Sequence, residues 1–110
     1  MRTYKASLQQ DGTTSAPTVV EMPGSSWGGN IVWTRWATGE YIGTLTGAFP
    51  NTSTERTFTY AQLFPGEYDT ECLCSFQRDN DDRVILNVLE SDGATRVDGC
   101  KVNLIIEIHD

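Results

Sequence analysis

Lys101-Val102-Asn103-Leu104-Ile105-Ile106-Glu107-Ile108-His109 alternates apolar and polar side chains almost without a break. Successive side chains of an extended strand point to opposite faces. Val102, Leu104, Ile106 and Ile108 therefore share one apolar face, and Lys101, Asn103, Glu107 and His109 share the other, with Ile105 as the exception. A helix needs apolar residues at i, i+3, i+4 and i+7, and no window of the chain holds that spacing without a Gly, Pro or polar break. The run from Arg83 to Glu90 repeats the strand pattern, with Val84, Leu86 and Val88 on one face and Arg83 and Asn87 on the other.

Working outward from these two runs, strands are expected over residues 2–9, 18–22, 30–37, 40–47, 56–63, 71–77, 83–90 and 101–109. Turn residues stand between them: Asp11-Gly12, Pro23-Gly24, Thr38-Gly39, Pro65-Gly66, Asp79-Asn80-Asp81-Asp82, Ser91-Asp92-Gly93 and Asp98-Gly99. Thr38-Gly39 predicts a tight hairpin, with Gly39 at positive φ. Leu73 and Phe76 fall on opposite faces of their run, which predicts a bulge or a two-sided environment. The expected fold is all-β, an antiparallel β-sandwich or small barrel of about seven to eight strands, Ig-like or jelly-roll-like, forming a single domain over residues 1–110.

The chain has 110 residues, 15 acidic against 8 basic, and a net charge of −7. Its basic residues are scattered, and phosphate binding requires clustered Lys and Arg, so nucleic acid is not an expected partner. No apolar run reaches the length of a membrane span, and the opening Met1-Arg2-Thr3-Tyr4-Lys5 lacks the apolar core of a signal peptide. A membrane partner is not expected, and synthesis in the cytoplasm is.

Catalysis is not expected either. The single histidine, His109, stands next to the C-terminus, and no phosphate loop, zinc-protease helix or nucleophile elbow occurs. No cofactor is implied. Cys72, Cys74, Cys100 and His109 supply the atoms of a Cys₃His zinc shell, but structural zinc sites more often use spacings of two to four residues in turns, and reduced thiols are the preferred reading. The odd cysteine count also leaves open whether Cys72 or Cys74 pairs with Cys100. Asp79, Asn80, Asp81 and Asp82 gather hard oxygen donors but lack the full calcium-loop pattern, so they read as a solvated turn. Glu67, Asp69 and Glu71 read as charges that blunt a sheet edge.

Aromatic residues give the strongest indication of binding. Trp27, Trp33, Trp36 and Tyr41 cluster around one expected hairpin and are the candidate interface or ligand residues. Trp33 and Trp36 differ by an odd number, so one can enter the core while the other is exposed. An exposed indole can anchor a protein interface or stack on a sugar ring. The small residues of Gly43-Thr44-Leu45-Thr46-Gly47 are expected to let another chain approach closely.

Ile31-Val32-Trp33-Thr34-Arg35, Gly39, and Tyr41-Ile42-Gly43-Thr44-Leu45-Thr46-Gly47-Ala48-Phe49 form a recognisable stretch. Tyr4-Lys5-Ala6-Ser7-Leu8, Gly12, Ala16-Pro17 and Ile105-Ile106-Glu107-Ile108 extend it. Together they resemble small all-β proteins of Bacteroidetes bacteriophages and prophage-like regions, which sit among virion structural genes. The resemblance implies a virion structural or accessory protein (capsid decoration, fibre or tail-associated), located in the virion and partnered by other virion proteins or by its own copies. It transfers no catalytic residue. The alternative expectation is a carbohydrate-binding β-sandwich module used for surface or host attachment, with a glycan as partner.

Overall fold

A computed structural model describes residues 2–10, 12, 14–22, 31–63, 72–90 and 94–110. The described residues form eight strands: β1 (Arg2–Gln9), β2 (Thr18–Glu21), β3 (Val32–Ala37), β4 (Glu40–Thr44), β5 (Arg56–Leu63), β6 (Cys72–Asn80), β7 (Arg83–Glu90) and β8 (Lys101–His109). They form two antiparallel four-stranded sheets, in the orders β2-β1-β8-β5 and β3-β4-β7-β6. The fold is an all-β sandwich, as the alternation predicted. Hairpins join β1 to β2, β3 to β4 and β6 to β7 within a sheet, and the other connections cross between sheets.

Side-chain alternation decides which residues meet in the middle. Tyr4, Ala6 and Leu8 of β1 and Val102, Leu104, Ile106 and Ile108 of β8 turn inward from the first sheet. Trp33, Tyr41, Val84, Leu86 and Val88 turn inward from the second, and Phe49 fills the space beside them. Trp33 Nε1 donates to the Tyr4 hydroxyl at 3.4 Å, so two large rings are tied together across the sandwich. Burial raises the Tyr4 pKa, the bond to Trp33 works against that rise, and the nearby Glu21 charge adds to it. On one side the sheets close together, where β5 and β6 adjoin and Thr59 Oγ1 donates to the Phe76 carbonyl at 2.6 Å.

Several expectations are corrected in detail. β4 ends at Thr44, and residues 46–47 form a turn. Gly43 does not open the surface to another chain. It faces the core on a central strand, where a Cβ would lie 2.9 Å from Ile31 Cγ2 and 3.0 Å from the Trp33 ring. Its missing side chain is the space that the indole occupies. No register shift occurs between Leu73 and Phe76; Leu73 points out and Phe76 packs toward the core, so the two-sided environment is the correct alternative. The register shift in β6 lies instead between Arg78 and Asn80, at the mouth of a turn shorter than expected because β6 runs on to Asn80.

The acidic turn holds its own oxygen atoms. Asp79 pairs with Arg83 at 2.5 Å, Asp81 with Arg78, and Asp82 accepts from the Gly47 N–H at 2.8 Å. Asn80 Oδ1 accepts from the Asp82 N–H at 2.8 Å. These bonds are those of a structural turn. Glu67, Asp69 and Glu71 lie outside the described residues.

Candidate functional site

The four aromatic candidates part company in the fold. Trp27 lies outside the described residues. Trp33 is 6% exposed and Tyr41 is buried with it, both on the inner face. Trp36 is 60% exposed on the outer face of the second sheet. The odd spacing separates the two indoles, and a register shift between Arg35 and Ala37 sets Trp36 apart from the ladder.

The ground beneath Trp36 is unusual for an outer face. Ile42 and Ile85 are directly paired across β4 and β7, point outward, and yet are buried. The row on one side of them carries Arg83, paired with Thr44, and the row on the other side carries Trp36 beside the Glu40–Asn87 pair. The Arg83 guanidinium carbon lies 5.9 Å from the Trp36 ring centroid, so the two side chains reach toward each other above the isoleucines. Arg96 pairs with Glu40 at 3.3 Å and donates to Asn87 Oδ1 at 2.6 Å along the same margin. Val32 and Leu73 are exposed on this face as well.

Tyr41 belongs to a different arrangement. Asp98, in the connection before β8, accepts from the Tyr41 hydroxyl and from the Gly39 N–H at 2.9 Å. It also accepts from Arg35 Nε at 3.2 Å and Arg35 Nη2 at 3.0 Å. Burial pushes the Tyr41 pKa up, and the Asp98 carboxylate beside it pushes it further. Burial also pushes the Asp98 pKa up, but the bonds from Arg35, Tyr41 and Gly39 outweigh it and hold the carboxyl below its usual value. This cluster fastens the β3–β4 hairpin to the residues ahead of β8. Its donors all converge on the Asp98 carboxylate.

The zinc donors are not brought to one place. Cys100 and His109 stand at opposite ends of extended β8, about 30 Å apart at roughly 3.3 Å per residue. A shell holding both is contradicted by that strand. Cys74 and Cys100 are free thiols, Cys100 is buried, and the Cys72 side chain lies outside the described residues. Among the described residues no group of three or more His, Cys, Asp or Glu is placed to hold a metal.

A second surface was missed by the sequence reading. Phe58 and Tyr60 alternate with inward Thr57, Thr59 and Ala61 along β5, and are 45% and 49% exposed on the outer face of the first sheet. They border an open cleft of about 490 Å³ shared with Arg56, Glu107 and His109. His109 packs edge-on against Phe58, with ring centroids 4.9 Å apart at 82°, and its Nε2 faces Glu107 Oε1 at 3.4 Å. Ser53 lines the same cleft.

No protein-family model, no curated protein and no solved structure matches the chain.

Proposed function

We propose that the protein is a non-enzymatic structural or accessory module that acts through protein–protein contact at the outer face of β3, β4 and β7. The observation that carries this reading is Trp36. A large indole lies mostly in solvent, with Arg83 beside it and two buried isoleucines beneath it. Interface energy concentrates in Trp, Tyr and Arg anchors set on well-packed surroundings. Val32 and Leu73 are further exposed apolar residues on the same face. The virion setting, as a capsid, fibre or tail accessory, is the part of the proposal that comes from the resemblance to phage proteins carried by Ile31–Arg35, Gly39, Tyr41–Phe49 and the flanking stretches, in which Trp36 has no part, and other virion proteins or further copies of the chain are the partners it names.

Light scattering on the wild type and on Trp36→Ala tests the interface. Wild type is expected to form a defined oligomer, and Trp36→Ala to shift it to monomer with an unchanged circular dichroism spectrum. A wild type that is monomeric at high concentration, together with its absence from purified virions by mass spectrometry, overturns the reading. A second reading, attachment through a glycan, is favoured by a separate observation: the exposed Phe58–Tyr60 pair on the opposite sheet, set among polar side chains.

A further inference from the structure

We infer that the cleft along β5 and the end of β8 is a binding site for a neutral saccharide of one or two rings. The inference deepens the glycan reading and rests on it alone; the Trp36 interface is on the other sheet and is independent of it.

The cleft holds three kinds of surface. Phe58 and Tyr60 present two rings from alternate positions of one strand, about 7 Å apart along it. Arg56 and His109 bring donors, and Glu107 brings acceptors. Ser53 and Thr54 add hydroxyl groups at the rim. Its volume of about 490 Å³ falls within the range of small-ligand sites.

Arg56 is distinctive among the arginines. Arg2, Arg35, Arg78, Arg83 and Arg96 each pair with a carboxylate. Arg56 donates to the amide oxygen of Asn51 at 3.2 Å and, among the described residues, pairs with no carboxylate. In a chain of net charge −7, a guanidinium left to a neutral partner keeps donor capacity for something else.

The mixture of groups selects the ligand chemistry. A strongly anionic ligand would meet Glu107, and a cationic one would meet Arg56. An apolar ligand would strip water from all of these groups without replacing its hydrogen bonds, which is costly. A sugar hydroxyl donates and accepts at once, so a ring of hydroxyls can satisfy both signs. The C–H face of the same ring can lie against an aromatic face. An open cleft suits a ligand that stays partly hydrated.

The test is a two-dimensional NMR titration of the full chain with cellobiose, maltose and lactose, and with glucuronic acid and glucosamine as charged controls. At least one neutral disaccharide is expected to shift the amide signals of Arg56, Phe58, Tyr60 and His109 with millimolar affinity, ahead of both controls. Tyr60→Ala is expected to weaken that affinity about tenfold, the scale of one lost ring contact. Tyr60 and Phe58 are exposed, so their alanine variants keep the core, and matching circular dichroism spectra verify that. Absence of any cleft response to the neutral sugars overturns the inference. A response confined to Trp36 also overturns it while leaving glycan binding itself intact, and a cleft response to glucuronic acid alone replaces the neutral ligand with an acidic one.

Discussion

Replacing Asp98 by alanine removes the carboxylate that joins three separate pieces of the second sheet and its flank. The Tyr41 hydroxyl, buried on the inner side, loses its acceptor, and so does the Gly39 N–H at the hairpin turn. A hydrogen bond to a charged group contributes about 1.5–3 kcal/mol when donor and acceptor are shielded. The Asp98 side chain keeps 11% of its surface in water and that of Arg35 16%, so the guanidinium can be rehydrated and is left out of the sum. Counting only the Tyr41 and Gly39 bonds at the low end gives a loss of about 3 kcal/mol. For a domain of this size that is a fall of roughly 12 °C in Tm. Urea denaturation followed by tryptophan fluorescence measures it, with an unchanged m-value as evidence that only stability has moved. The acid limb gives an independent check. The folded carboxyl of Asp98 titrates below its unfolded value of about 3.9, so its contribution is complete above that pH and disappears as pH falls through the folded value. The stability gap between wild type and Asp98→Asn is therefore expected to be constant near neutral pH and to close on acidification below about pH 4. A loss under about 1 kcal/mol for Asp98→Ala, the level of an ordinary surface pair, or a gap that does not narrow in acid, refutes the assignment.

Two further substitutions probe the framework. Gln10 is 1% exposed, and its Oε1 accepts from the Gly12 and Gly99 N–H groups at 2.7 Å each. Gln10→Leu keeps the volume but leaves both donors without that acceptor, and is expected to cost about 2–4 kcal/mol in chemical denaturation; a near-neutral result would show that water replaces the amide oxygen. Gly39 has φ +65°, and a Cβ there would lie 2.5 Å from the Val88 carbonyl oxygen and 2.7 Å from the Val97 nitrogen. Backbone cannot yield as a side-chain tip can, so Gly39→Ala is expected to cost about 3 kcal/mol or more, with Gly12→Ala, where a Cβ meets nothing within 4 Å, as the milder control.

The sequence made the strands readable because each element carries its own two-residue period. Lys101–His109, Arg83–Glu90, Arg56–Leu63 and Arg2–Gln9 have the expected limits, since each combines alternation with turn residues on at least one side. Boundaries moved where those signals conflicted: Leu45 is apolar yet lies beyond β4, and Asp79-Asn80 are turn formers that extend β6. The Asp98 cluster depends on contacts between residues 57–63 positions apart, strand order depends on pairings as distant as Arg2 with Ile108, and nothing local encodes either. For the candidate surfaces, parity separated Trp33 from Trp36, although it did not say which was inside. The Phe58–Tyr60 pair was legible in principle, as two aromatics opposite a face of Thr57, Thr59 and Ala61. Its cleft was not, because Glu107 and His109 join it only through the pairing of β5 with β8.

The position of β8 has a consequence for the order in which the protein can be made. It lies between β1 and β5, pairing with both along their whole lengths, and its four inward aliphatic residues occupy the centre of the core. A ribosome releases β8 after β1 to β7. Until then β1 and β5 have no partner between them, and the second sheet faces an incomplete layer. Closing such distant contacts is slow, and unpaired strand edges favour aggregation. Nascent chains stalled before Lys101 should therefore remain sensitive to protease and bind chaperones, and protection should arrive in a single step once β8 has cleared the exit tunnel.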